Sequence, residues 1–164
     1  MREVTFAGVL SGQEEIDAVN GVLKTTWLTA GLEADFFEKE FANYIGVNYA
    51  LVVNSGSMAN FMAIRALNLP EGSEVITAGA GFPITCSPIL MNNLTPVLVD
   101  YNLETHNINL GEIEKIITPK TKAIIVAHTM GIPIDMNYLM RIVKDNNLLL
   151  IEDCCEALGS MYED

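Results

Sequence analysis

Apolar residues gather along this chain in five short, nearly unbroken runs, at 50–53, 74–77, 96–100, 123–127 and 148–152. Each has the length of a strand and is apolar on both faces. Between them, 57–67, 83–92, 110–117 and 136–146 have helical spacing or composition. Turn signals fall at the junctions: Pro70-Glu71-Gly72, Asn92-Asn93 and Asn146-Asn147. Apolar strands alternating with helices predict an α/β fold, a mostly parallel sheet covered by helices on both faces. The beginning of the chain differs. There, 13–24 and 34–44 read as two amphipathic helices around the link Trp27-Leu28-Thr29-Ala30-Gly31. The expected organisation is therefore an N-terminal helical segment, 1–45, followed by an α/β domain, 46–164. The last run is followed by only a short tail with no closing helix, so the architecture is expected to be truncated.

Composition narrows the partners more than the fold. The chain has 164 residues, half of them apolar and 18% charged, enough for a real core and too apolar for disorder. A net charge of −12 argues against nucleic acid or an anionic membrane as the main partner. It leaves phosphorylated ligands open, because local donors at helix N-termini hold phosphates. No apolar run approaches the roughly 20 residues of a membrane span, and Met1-Arg2-Glu3-Val4 lacks the apolar stretch of a secretory leader. Cys86, Cys154 and Cys155 are an odd set among apolar neighbours, which suggests reduced thiols and a cytoplasmic location.

The residues with chemical potential stand where strands should end. In Leu148-Leu149-Leu150-Ile151-Glu152-Asp153, carboxylates close an apolar strand. In an open α/β sheet, ligands bind just outside such carboxyl ends. A carboxylate there suits a cationic group such as a protonated pyridine ring, which points to pyridoxal phosphate chemistry. Asp153 and Glu156 carry this reading; the ordinary alternative is a capping Asp with a solvated Glu. In Val53-Asn54-Ser55-Gly56-Ser57-Met58, a strand, a turn and a helix start in succession. Free amides and the Ser55 and Ser57 hydroxyls would hold a phosphate there, unless Ser57 is simply a helix cap. Phe82 follows Gly79-Ala80-Gly81 and could stack on a planar ring or merely cover the sheet edge. His128 follows the 123–127 run and could equally be a satisfied structural histidine; His106 lies in a polar loop and reads as surface. Competing motifs are missing: no G-x-G-x-x-G or G-x-x-x-x-G-K-[ST] phosphate loop, no G-x-S-x-G elbow and no metal-ligand spacing.

In combination, Trp27-Leu28-Thr29-Ala30-Gly31, Asn54-Ser55-Gly56-Ser57, Gly81-Phe82-Pro83, Pro96-Val97-Leu98-Val99-Asp100 and Ile151-Glu152-Asp153 carry a resemblance. The sequence resembles the DegT/DnrJ/EryC1/StrS family of sugar-nucleotide aminotransferases and dehydrases, over about residues 12 to 162. The resemblance implies the large domain of PLP fold type I. It puts Gly56, Ser57 and Met58 at the cofactor phosphate, Phe82 on the ring, and Asp153 at the pyridine nitrogen. Position 156, usually Gln or His in the aminotransferases, is Glu156 here. With Ala127-His128-Thr129 and Gly131, and with Ala80–Pro83, this looks more like the 3-dehydrase branch. Those enzymes remove the C3 hydroxyl of nucleotide-linked 4-keto-6-deoxyhexoses, using the pyridoxamine phosphate form of the cofactor. The resemblance further implies a homodimer, a role in deoxysugar or lipopolysaccharide O-antigen synthesis, and for some dehydrases a reductase partner. Some members also bind an iron–sulfur cluster; Cys155 matches one ligand position, although a buried structural cysteine is the simpler expectation. The family's cofactor-linking lysine, histidine in the dehydrases, would fall beyond residue 164. The chain alone is therefore expected to be inactive, the parent enzyme active. The alternatives are an aminotransferase on the same scaffold and an inactive truncated fragment.

Overall fold

In the computed structural model, residue 8 and residues 10–163 are described; Met1-Arg2-Glu3-Val4, read above for a leader, lie outside them. The chain forms two compact units that meet in sequence between Val52 and Val53.

The first unit holds two helices. Helix α1, Gln13–Thr25, starts with a capping box in which the Glu15 carboxylate accepts the Gly12 amide at 2.6 Å. Helix α2, Leu32–Ile45, ends where Gly46 takes a left-handed conformation and its amide reaches back to the Ala42 carbonyl. In the link between them, the Trp27 indole N–H donates to the Ala30 carbonyl at 2.9 Å. The expected strand at 50–53 is not formed. That segment has no regular secondary structure, with the Val52 amide donating to Glu38 Oε1 at 2.8 Å, and Leu51 is exposed. An apolar run marks a capacity for burial, whereas a strand also needs a ladder partner, and no described strand pairs with this one.

The second unit is built on four parallel strands: β1, Glu74–Ala78; β2, Thr95–Val99; β3, Thr121–Ala127; and β4, Leu149–Asp153. Their order is β2-β1-β3-β4. Helices α3, Gly56–Ala66, and α4, Pro83–Met91, supply apolar side chains to one face. Ile64 and Ile89 pack there with Val75, Ala123 and Ile125. Helices α5, Leu110–Ile116, and α6, Met136–Asp145, cover the other face, where Ile113, Leu139, Ile142 and Val143 meet Ile76, Ile124 and Val126. Strand periodicity explains the division: consecutive residues of β3 point to opposite faces, and both faces are buried. The chain moves outward from β1 to β2 and then returns past β1 to β3. The topological switch therefore lies between β1 and β3, and the loops after the strands converge at its carboxyl end.

Candidate active site

The centre of the site is the Asp153 carboxylate, the last residue of β4. Its Oδ2 accepts from Asn60 Nδ2 at 2.8 Å and from Thr85 Oγ1 at 3.1 Å. Its Oδ1 accepts the Cys155 amide at 3.1 Å. Residues from α3 and α4 thus converge on the end of β4. A carboxylate offers about four lone-pair positions. Three donors occupy three of them, and one position, on Oδ1, remains for a ligand donor.

Helix α3 supplies the second feature. Ser55, not Ser57, is its cap: the Ser55 hydroxyl accepts the Met58 amide at 3.3 Å, and the Ser55 carbonyl takes the Ala59 amide. This leaves the Gly56 and Ser57 amides without intrahelical partners and the exposed Ser57 hydroxyl available, donors of the kind an anion would need at a helix N-terminus. The Met58 amide is committed to the cap. Asn60 lies one turn after Ser57, so one helix carries both the free amides and a donor to Asp153.

Phe82 is the N-cap residue of α4, one turn before Thr85, and the residue is 73% exposed rather than folded into the core. Gly81 precedes it at φ 138°, and a Cβ there would stand 3.3 Å from the Tyr101 hydroxyl. Any side chain at 81 would be strained by this φ and would need the Tyr101 hydroxyl to give way slightly.

The remaining sequence candidates meet around the turn after β3. His128 is buried, and both of its ring nitrogens are engaged. Nδ1 accepts the Ile134 amide at 3.1 Å, which assigns the proton of the neutral ring to Nε2, and Nε2 faces Glu152 Oε2 at 3.0 Å. Glu156 lies in the turn after β4, and its Oε2 accepts the Met130 amide at 2.9 Å. Met130 and Gly131 both have positive φ, at 55° and 76°, and Ser160 Oγ donates to the Gly131 carbonyl at 2.7 Å. Glu156 and Ser160 therefore hold the turn after β3 in shape, while the other Glu156 oxygen stays open. Thr129 also exchanges a hydrogen bond with the Tyr101 hydroxyl at 3.1 Å.

One cysteine expectation is corrected. Cys155 is exposed, not buried, and so is its neighbour Cys154, because both follow the last residue of β4 into a turn beyond the sheet. Local desolvation, then the Glu152 and Asp153 charges, push the Cys154 thiol above its ordinary range, so it stays protonated near neutral pH. Among the described residues no group of three or more His, Cys, Asp or Glu is arranged to hold a metal ion, and no helix is long and apolar enough to cross a membrane. Asn60 and Thr85 were missed from sequence. Each lies in a mostly apolar helix, far along the chain from Asp153, and only Asn60, at a position facing the core, carried a hint.

The arrangement defines a class: a parallel α/β domain whose ligand site joins strand carboxyl ends to a helix N-terminus. The profile of the DegT/DnrJ/EryC1/StrS aminotransferase family matches residues 10–164, and the chain belongs to that family. It is 42% identical to the lipopolysaccharide biosynthesis protein RfbH of Salmonella typhimurium over 165 residues, covering 96% of this chain and 38% of RfbH. An aminotransferase structure from Psychrobacter cryohalolentis superposes with a TM-score of 0.88 at 36% identity, over 93% of this chain and 39% of that one. The E. coli GDP-4-keto-6-deoxy-D-mannose-3-dehydratase with bound hydrated PLP superposes with a TM-score of 0.94 at 29% identity, over 100% of this chain and 44% of that one. The chain thus spans 38 to 44% of the length of these relatives.

Proposed function

We propose that this chain supplies the cofactor-binding part of a pyridoxal or pyridoxamine phosphate enzyme that removes the C3 hydroxyl of a nucleotide-linked 4-keto-6-deoxy sugar. The observation that carries the reading is the Asp153 carboxylate, held by three donors with one acceptor position left. The residues present fit the cofactor. The Gly56 and Ser57 amides and the Ser57 hydroxyl would hold its phosphate. Phe82 would lie against the ring face. Asp153 would keep the proton on the ring nitrogen, since a neighbouring carboxylate favours the charged form. When bound, pyridoxamine phosphate supplies an amine for the sugar's keto carbon and a ring that takes up electrons. Glu156 supports the dehydrase branch: the resemblance associates a carboxylate, rather than Gln or His, at this position with that branch, and only one of its oxygens is engaged among the described residues, by the Met130 amide.

The proposal includes a cytoplasmic homodimer, a place in deoxysugar or lipopolysaccharide synthesis, and, for a dehydrase, a reductase partner. The likeness to RfbH supports the biosynthetic setting. Exposed Trp27, Leu28, Leu32, Phe36 and Phe37 in the first unit support a covered surface there. A second reading, amination of the same substrate class, is favoured by the Psychrobacter aminotransferase. The test presents the full-length enzyme with 4-keto-6-deoxyhexoses linked to different nucleotides, with either pyridoxamine phosphate or PLP plus glutamate. Loss of the C3 oxygen, seen by mass spectrometry, supports dehydration; an amine in place of the keto oxygen supports the second reading. Neither product from any of the sugars overturns both.

A further inference from the structure

Helix α4 contains Pro88, which has no N–H to give to the Ile84 carbonyl one turn earlier. Asn60 Nδ2 donates to that carbonyl at 3.3 Å and to Asp153 Oδ2 at 2.8 Å. Both neighbours accept, so the amide nitrogen, not the oxygen, faces them, and its two hydrogens are both assigned. Asn60 is buried, and water does not substitute readily for either bond. With Thr85 Oγ1 at 3.1 Å on the same oxygen, Asp153 Oδ2 is saturated. The free position then lies on Oδ1 alone.

We infer that Asn60, fixed by the carbonyl that Pro88 leaves open and seconded by Thr85, is a positioning residue that fixes the plane of the Asp153 carboxylate and so the direction of the acceptor left for the cofactor ring nitrogen. The inference rests on the proposed pairing of Asp153 with that nitrogen. The carboxylate torsion is broad, so without these donors the carboxylate plane swings and the acceptor direction is lost; exchange of its two equivalent oxygens by a half turn changes nothing. Asn60 lies on the same helix as the Gly56 and Ser57 amides. Helix α3 therefore carries both the amides that would hold the cofactor phosphate and the donor that orients Asp153.

The test uses the full-length enzyme loaded with cofactor isotope-labelled at the ring nitrogen, read by NMR, beside kcat and KM. Asn60→Leu keeps the branched shape, at a larger volume, and removes both donors. It is expected to move or broaden the ring-nitrogen signal and to lower kcat roughly tenfold to a hundredfold, the range seen when an orienting outer partner is lost, with sugar KM nearly unchanged. Thr85→Val, which removes one donor from the same oxygen, serves if Asn60→Leu does not fold, and is expected to shift the signal the same way by less. An unchanged signal and kcat with only a lower melting temperature would make Asn60 a structural tie and overturn the inference. Asp153→Asn is the control: if it leaves the ring-nitrogen signal unmoved, the pairing itself fails and the inference falls with it.

Discussion

His128 is the sequence candidate that the geometry tests most sharply. Replacing it with Leu removes the acceptor for the Ile134 amide, on a residue only 2% exposed, and strips Glu152 of its partner. An orphaned buried N–H costs about 1–3 kcal/mol. The Glu152 contact adds about 0.5–1 kcal/mol, because that carboxylate is 41% exposed and water replaces much of the contact. His128→Leu is therefore expected to lose about 1.5–4 kcal/mol, measured as a lower urea midpoint. His128→Asn places an amide oxygen near the position of Nδ1 and should recover about 1–2 kcal/mol of that loss, the larger part of it from the Ile134 bond. If the ring is structural, catalysis follows stability, and His128→Asn keeps most of the turnover when assayed at low temperature. If His128→Asn regains stability yet stays as inactive as His128→Leu, the ring takes part in the chemistry and the structural reading is refuted.

Three other outcomes are expected. Gly131→Ala meets a positive φ of 76° and places a Cβ 3.1 Å from the Glu156 carbonyl; it should cost about 1–2 kcal/mol and shift the Met130 amide signal, whereas an unaltered urea midpoint would mean that the turn relaxes freely. Glu156→Gln keeps an oxygen for the Met130 amide, so stability should hold within about 0.5 kcal/mol while the ratio of dehydration to amination changes; an unchanged ratio would remove Glu156 from the branch assignment. The Asp135 carboxyl is held below its ordinary range by the Tyr138 amide and then by the Tyr162 hydroxyl. Its folded value lies below the unfolded one, so its contribution is present above the unfolded value and lost as pH falls through the folded one. Tyr162→Phe should raise the Asp135 midpoint in an NMR titration, and no movement would show that the Tyr138 amide alone sets it.

The amino-acid sequence determined the strands and helices of the second unit, because burial on both faces imposes unbroken apolar runs that periodicity reads directly. Strands β1 to β4 and helices α3 to α6 lie within a residue or two of the positions the pattern predicts. It also marked Asp153 and Phe82, since both stand at strand and helix boundaries, where local signals are strong. The family followed from motifs in combination, and the profile match bears it out. Tertiary structure alone decided the rest. The 50–53 run lacks a partner strand, and pairing is a property of two segments, not one. Ser55 rather than Ser57 caps α3, because the cap depends on backbone dihedrals at the turn. Asn60, Thr85 and Asp153 converge only when two helices dock on β4, and Pro88 matters only because Asn60 stands opposite the carbonyl it frees. Local patterns carry burial and turns; hydrogen bonds between distant polar residues exist only once packing has brought them together.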